Sequence, residues 1–192
     1  MRFVENSGWY SDSTVFASGS ENPHYAEYRI FDVASAKPVE VYAGYGFATC
    51  ASKGEVAYVA DPDEANPEKL HVQVNGKDLS ELSAASDPSY FQWSRDCDRL
   101  AYIEEGDAAN LVVLNENVVE ARVPVGADFD GALIVAVGNG FLLKEGGQTK
   151  YYDIVKKAFL TDLPRTARQE SADELVKGLG GSSGNVWTSR EK

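Results

Sequence analysis

With 192 residues and 43% hydrophobic content, the chain can bury a proper core, so the sequence excludes an intrinsically disordered protein. Eighteen Lys and Arg residues against 30 Asp and Glu residues give a net charge of −12, which repels nucleic-acid backbones and anionic lipids. We therefore expect no nucleic-acid partner. A basic protein is the favoured partner, because complementary charge speeds encounter.

The start of the chain, residues 1–6, lacks the apolar core of a secretory signal, and no stretch has the length of a membrane span. We therefore expect no membrane insertion. The sequence leaves the compartment open: periplasmic or secreted if a leader has been removed, and cytoplasmic otherwise.

Short apolar runs recur along the chain with a fixed period. Two series of strand centres carry this period: Phe16, Tyr58, Tyr102 and Leu143, and then Ile30, Val72, Val113 and Ile154. Consecutive members of each series lie 41 to 44 residues apart. Because two independent series agree, the sequence predicts four structural repeats, at 3–42, 43–83, 90–125 and 128–163.

Each repeat holds three or four runs rich in Val, Tyr, Phe, Ile and Leu, the residues that favour strands. Asn75-Gly76 separates two of them and predicts a two-residue hairpin turn. The predicted strands are 45–50, 55–60, 70–74 and 79–82 in the second repeat, 90–94, 99–104, 111–114 and 118–123 in the third, and 132–137, 141–144, 151–154 and 158–160 in the fourth, where a Gly138-Asn139-Gly140 turn joins the first two.

Residues 93–103, Trp-Ser-Arg-Asp-Cys-Asp-Arg-Leu-Ala-Tyr-Ile, resemble the W-S-P-D-G-x-x-L-A-Y signature of TolB-like and WD40-like propeller blades. Arg95 and Cys97 stand where that signature has Pro and Gly. Residues 28–33 and 151–154 are similar to the L-Y-x-x-D strand that follows in such blades. The resemblance implies an all-β fold over residues 1–163, with four antiparallel three- to four-stranded blades of a β-propeller. The propeller would be small and closed, an incomplete arc, or a piece of a larger protein, and the likeness implies no activity.

The predicted tail, residues 164–192, changes character. Residues 171–174 have the spacing of a capping box and Gly178 fits a helix end, so we expect one short C-terminal helix. Residues 180–184 formally match the G-x-S-x-G nucleophile motif, but no buried strand precedes them and no helix follows. We interpret them as a flexible linker.

The residues that often carry chemistry form no motif here. Cys50 and Cys97 make neither a C-x-x-C pair nor a metal cluster, and one disulfide or two buried thiols remain equally open. His71 fits a strand and His24 a turn. We therefore predict no catalytic residue, no cofactor and no metal.

Two kinds of residues are candidates for contact with a partner. Three aromatic residues, Tyr42, Tyr45 and Phe47, flank two glycines at a junction between repeats, and aromatic anchors are typical of interfaces. Two acidic loops provide the other candidates: Asp61, Asp63 and Glu64, and Glu104, Glu105 and Asp107. Because neither loop has EF-hand spacing, we interpret both as solvated acidic turns on the rim of the domain.

These features favour a non-enzymatic protein-binding module. A bacterial immunity or inhibitor protein that blocks a secreted toxin or enzyme would fit the small, acidic, motif-poor chain. The alternative is a carbohydrate- or calcium-binding propeller, or a hydrolase that uses carboxylates in the blade-end loops. Its candidate carboxylates are Asp61, Asp63, Glu104 and Asp128.

Overall fold

The fold is that of an all-β protein. A computed structural model describes residues 3–22, 25–60, 71–75, 77–79, 87–105, 109–116, 118–126, 133–145, 148–160 and 162–164. These residues form fifteen antiparallel strands joined by turns. Nowhere in these ranges is there a helix long and apolar enough to cross a membrane. The chain divides into two compact units, residues 1–84 and 85–192.

The first unit is one seven-stranded sheet that curls into a half-barrel, with every strand next to its neighbour in sequence. Its strands are β1 (Phe3–Trp9), β2 (Thr14–Asn22), β3 (Tyr25–Asp32), β4 (Lys37–Cys50), β5 (Glu55–Ala60), β6 (His71–Val74) and β7 (Lys77–Asp78). The long strand β4 pairs with β3 through residues 37–43 and with β5 through residues 44–50. Two four-stranded meanders therefore share it, and we call them the first meander (3–43) and the second meander (44–79).

Glycines allow β4 to change partners. Gly44 has a φ of 146° and Gly46 a φ of 65°, and the ladder with β5 is irregular between Tyr45 and Ala48. A Cβ atom on Gly44 would overlap the carbonyl group of Val59. A side chain at Gly44 would therefore push β5 away and break the sheet at this point.

Five aromatic rings fill the space beneath the first and second meanders, and we call them the aromatic cluster. Ring centroids are 5.1 Å apart for Phe16 and Tyr28, 5.1 Å for Tyr28 and Phe47, 5.6 Å for Phe47 and Tyr58, and 5.3 Å for Tyr58 and Tyr42. These separations are those of favourable ring pairs. The cluster, with Ile30 and Val56, is the core of the first unit.

The second unit contains two four-stranded sheets, each a meander. The third meander comprises β8 (Asp87–Trp93), β9 (Arg99–Glu105), β10 (Ala109–Asn115) and β11 (Val118–Gly126), and the fourth comprises β12 (Leu133–Val137), β13 (Gly140–Glu145), β14 (Gln148–Asp153) and β15 (Ala158–Leu160). Their facing sides form one hydrophobic core, in which Ile103, Leu111 and Val113 of the third meander belong to the same cluster as Phe141 and Leu143 of the fourth.

Matching turns relate the first and fourth meanders. After β3, Asp32 Oδ1 accepts a hydrogen bond from Ser35 N at 2.7 Å, and Ala36 has a φ of 53°. After β14, Asp153 Oδ1 accepts one from Lys156 N at 2.9 Å, and Lys157 has a φ of 53°. The two strands that resemble L-Y-x-x-D thus end in equivalent turns, capped by their aspartates.

The predicted all-β fold and most predicted strands are confirmed. Val74 pairs with Lys77, and Asn75 has a φ of 52°, so the predicted two-residue hairpin at residues 75 and 76 forms. One turn is shorter than predicted, because Gly140 pairs with Val137 and belongs to β13. Strand β7 covers Lys77–Asp78, and the predicted strand 79–82 lies, except for Leu79, outside the described residues. The predicted helix and linker of the tail lie outside the described residues.

Candidate functional site

The first meander exposes apolar side chains on the face opposite the aromatic cluster. Directly paired residues point to the same side of a sheet, and neighbours along a strand point to opposite sides. Trp9 pairs with Val15, which pairs with Phe31, and Arg29 pairs with Val41 in the next row. Phe16 and Ile30 point into the core. Their neighbours along the strands, Val15 and Phe31, and the residues paired with these neighbours therefore point to the opposite side of the sheet.

We call this surface the apolar face and define it by six residues: Val4, Trp9, Val15, Phe31, Val39 and Val41. Trp9 is 68% exposed, Val39 56% and Val41 53%, while Val15 and Phe31 are half-buried. Strands that face solvent normally carry polar residues there, so this run of exposed apolar side chains is typical of an interaction surface.

One ion pair crosses the apolar face. Arg29 Nε donates a hydrogen bond to Glu27 Oε2 at 2.7 Å, and both side chains are partly exposed. An exposed pair of this kind contributes little to stability, about 0–1 kcal/mol. It leaves this part of the face without net charge and supplies polar groups beside the valines.

The second unit contains a cleft of about 660 Å³, which we call the turn cleft. Three turns and two strand ends form its wall, through Ser94, Arg95, Asp96, Arg99, Glu120, Gly138, Asn139, Ile154, Val155 and Lys157. The volume is within the range of small-molecule sites.

The β8–β9 turn holds one wall of the turn cleft rigidly. Ser94 Oγ donates to Asp96 Oδ1 at 2.6 Å and accepts a hydrogen bond from Arg99 N at 3.0 Å. The hydrogen bond from Ser94 is the main reason that the pKa of Asp96 lies below its ordinary value. Cys97, at the position of Gly in the resembled blade signature, has a φ of 58°. The turn thus keeps the left-handed backbone that a glycine would favour.

A carboxylate between two cations lies at the centre of the turn cleft. Glu120 Oε2 accepts a hydrogen bond from Arg99 Nε at 2.7 Å, and Lys157 Nζ lies 3.2 Å from Glu120 Oε1. Burial alone would raise the pKa of Glu120, but the two cationic donors outweigh it and hold that pKa below its usual range. Glu120 in turn raises the pKa of Arg99, chiefly through their hydrogen bond.

The aromatic candidates lie at the bend of β4. Tyr42 and Phe47 are half-buried members of the aromatic cluster, and the Tyr42 hydroxyl donates a hydrogen bond to Glu40. Core packing therefore accounts for part of each ring's surface. Tyr45 lies in β4, but its side chain is outside the described part of the protein. Contact of these three residues with a partner stays a prediction.

The acidic candidates are mostly outside the described residues: Asp61, Asp63, Glu64, Asp107 and Asp128. Glu104 is buried, and its Oε1 accepts a hydrogen bond from Arg122 Nη2 at 2.9 Å. Glu105 ends β9, and its side chain is not described. Within the described ranges, no three His, Cys, Asp or Glu side chains converge as metal ligands.

The cysteines and tyrosines complete the chemical inventory. Cys50 and Cys97 are both disulfide-bonded, which decides between the two alternatives that the sequence leaves open. The buried hydroxyls of Tyr10 and Tyr102 have no hydrogen-bond partner among the residues that the structure describes, and burial raises the pKa of Tyr10 to about 12. Burial also raises the pKa of Tyr28, Tyr42, Tyr58 and Tyr102.

Neither surface was predicted from the sequence. The sequence did contain a signal for the apolar face. In β4, Tyr42 faces the core, so Val41 and Val39, one and three positions before it, face the opposite side. The turn cleft gave no signal, because its residues come from separate turns that only the packed sheets bring together. A comparison with known proteins finds no matching family profile and no matching curated protein.

Proposed function

We propose that the protein is a non-enzymatic binding module whose apolar face contacts another protein. The observation that carries the proposal is the exposure of Trp9, Val39 and Val41 together on one side of the first meander. Large exposed apolar surfaces mark interaction sites in soluble proteins, and tryptophan is among the residues that contribute most to binding.

The occupant that we favour is a protein with an apolar patch inside a basic rim. The apolar face supplies a hydrophobic centre, and the ion pair of Arg29 and Glu27 supplies polar groups at its side. The net charge of −12 attracts a basic partner over long distances and repels acidic ones. Within this class, the proposal extends to an immunity or inhibitor protein that occludes a secreted basic toxin or enzyme.

For the fold, the proposal is a β-propeller-like arrangement in which the four meanders are blades. Three observations support it: the period of the sequence, the four-stranded order of each meander, and the equivalent turns after Asp32 and Asp153. An experimental structure tests it directly. Four sheets related by rotation about a common axis would support the propeller, and a sandwich without such rotation would contradict it.

The binding proposal is tested with a pair of matched variants. Val41→Asp places a charge on the apolar face, and Val118→Asp places the same charge on an equally exposed valine of β11 in the second unit, where Val118 is 65% exposed. Proteins captured by the wild-type chain from the lysate of its own source are quantified for all three baits. Melting temperatures of the variants establish that both remain folded.

We expect a basic protein that the wild type and Val118→Asp capture equally and Val41→Asp loses. Trp9→Ala should weaken the same complex by about thirtyfold, the effect of losing a central tryptophan anchor. Equal capture by all three baits would contradict the proposal. A wild-type dimer that Val41→Asp dissociates would instead assign the apolar face to a second copy of the chain.

The inhibitor proposal has its own test. If the captured partner is an enzyme, an equimolar amount of the wild-type chain should abolish its activity, and Val41→Asp should not. An enzyme that stays fully active in a complex of demonstrated stoichiometry would leave the binding proposal intact and contradict the inhibitor role.

A further inference from the structure

We propose that the turn cleft of the second unit binds a small organic acid, with the acid's carboxylate on Arg99 and Lys157 and its apolar part against Ile154 and Val155. This site lies apart in sequence from the apolar face and does not depend on the protein-binding proposal.

The charges of the turn cleft favour an anion. Three cationic residues, Arg95, Arg99 and Lys157, line it together with two carboxylates, Asp96 and Glu120. The cationic side chains of the lining thus outnumber its carboxylates by one, in a chain whose net charge is −12. The formal charge of the lining is therefore opposite in sign to that of the whole protein.

Arg99 and Lys157 also offer hydrogen-bond donors that Glu120 does not use. Glu120 engages Arg99 through Nε, and no other hydrogen bond of the Arg99 side chain occurs among the described residues. The two terminal nitrogens of its guanidinium therefore remain for a ligand, and this fork fits the two oxygens of a carboxylate. Lys157 Nζ has one carboxylate neighbour at 3.2 Å and three N–H donors.

An apolar wall next to these donors distinguishes an organic acid from an inorganic anion. Ile154 and Val155 belong to the β14–β15 turn, and Val155 is 78% exposed. The backbone N–H of Ile154 donates to Asn139 O at 3.1 Å, which holds this wall against the β12–β13 turn. A hydrocarbon chain lying on the wall would remove both side chains from water.

Glu120 competes with the ligand for Arg99 and Lys157 and thereby limits the affinity of the site. Its carboxylate occupies the space between Arg99 and Lys157, where a ligand oxygen would gain most. The ligand therefore binds the outer N–H groups beside Glu120 and shares the two cations with it. Removing the charge of Glu120 should strengthen ligand binding, because it removes a competing carboxylate. For most residues that line a binding site, substitution weakens binding instead.

The test is a calorimetric titration of the full chain with hexanoate, acetate, hexanol and inorganic phosphate. We expect saturable binding of hexanoate at least about tenfold tighter than that of acetate, since additional CH₂ groups contact the wall. Hexanol should not bind, because it lacks the charge. Phosphate as tight as hexanoate would reduce the site to a general oxyanion site, and no saturable binding of either acid would overturn the proposal.

Variants locate the binding within the cleft. Val155→Asp should weaken hexanoate by about fivefold or more through charge repulsion, while the matched Val118→Asp should leave it unchanged. Glu120→Gln should tighten hexanoate by about fivefold, with acetate following the same direction. Equal weakening by both valine variants, or weaker binding by a Glu120→Gln chain that still unfolds cooperatively and is folded at the temperature of the titration, would contradict the assignment.

Discussion

The first and third meanders are built alike from four antiparallel strands, yet they bury their faces differently. In the first meander, Phe16, Tyr28 and Ile30 are buried on one face while the apolar face is open. In the third meander, β9 and β10 are buried on both faces: Leu100 and Tyr102 on one side, Ala101 and Ile103 on the other. Burial of the open side by another protein, as proposed above, would give the first meander the two covered faces that the third meander has.

The sequences of these strands carry the same contrast. Strand β10 reads Leu-Val-Val-Leu through residues 111–114, a continuous apolar run typical of a strand that is covered on both sides. Strand β3 alternates instead, with Glu27 and Arg29 between core residues. In β4, which pairs with β3, Val39 is 56% exposed and Val41 is 53% exposed.

The largest expected effect is a difference in unfolding free energy between a substitution in the core of the second unit and one on the apolar face. Phe141→Ala removes a fully buried ring from the core of the second unit and should lower the free energy of unfolding by about 3–5 kcal/mol. Trp9→Ala removes an equally large but exposed ring and should change it by less than about 0.5 kcal/mol. Urea denaturation measures both. A Trp9→Ala cost similar to that of Phe141→Ala would show that the apolar face is already covered.

A glycine pair tests how tightly the fourth meander is packed. A Cβ on Gly140 would overlap the carbonyl oxygen of Tyr152 and lie 2.6 Å from Tyr151 Cζ, so Gly140→Ala should cost about 1–3 kcal/mol. A Cβ on Gly138 would lie at an ordinary contact distance of 3.7 Å from the Tyr151 hydroxyl, but Gly138 has a φ of 53°, so Gly138→Ala should cost only about 1 kcal/mol for its left-handed backbone. Denaturation midpoints compare the two, and the reverse order would contradict this account of the β12–β13 turn.

Alkaline titration distinguishes Tyr10, which packs against the core of the first unit, from exposed tyrosines. Burial raises the pKa of Tyr10 to about 12 because the folded state disfavours its ionised form. The resulting stability is fully present below the ordinary tyrosine pKa of about 10 and is lost as pH rises through about 12. Tyrosinate absorbance should therefore rise late and together with unfolding. Tyr10→Phe should delay unfolding at high pH, and an unchanged profile would contradict burial as the cause.

The smallest effect concerns the turn cleft at low pH. The pKa of Glu120 is held below its usual range, so its ion pairs stabilise the fold above that range and this stability is lost as pH falls through the lowered pKa. Glu120→Gln should cost about 1 kcal/mol at neutral pH and flatten the acid limb of the stability curve. Thermal melts across the acid range measure this. A variant with the same acid limb as the wild type would show that Glu120 contributes nothing there.

Much of the fold could be predicted because strand formation depends on local sequence. Runs such as residues 55–60 and 99–104 coincide with β5 and β9 to within a residue, and Asn75 takes the positive φ that its hairpin requires. The shared strand β4 could not be predicted as one element. Its continuity depends on Gly44 and Gly46 allowing the chain to change partners without stopping.

The candidate sites were harder to predict, because they depend on which side of a sheet becomes covered. Tyr42 and Phe47 are predicted contact residues, and the bend of β4 also packs part of each ring against Tyr58, which the sequence did not indicate. Glu104 looks like a loop carboxylate, but it lies in β9 and pairs with Arg122 from a neighbouring region of the sheet. Long-range pairing decided both outcomes, and no short motif encodes it.

Hydrogen exchange of the chain with and without its captured partner tests the central claim most directly. If the apolar face is the contact surface, the partner should slow amide exchange in β1–β4, residues 3–43, and leave β9 and β10 unchanged. Protection confined to residues 87–164, with the exchange of the first meander unaltered, would contradict the assignment.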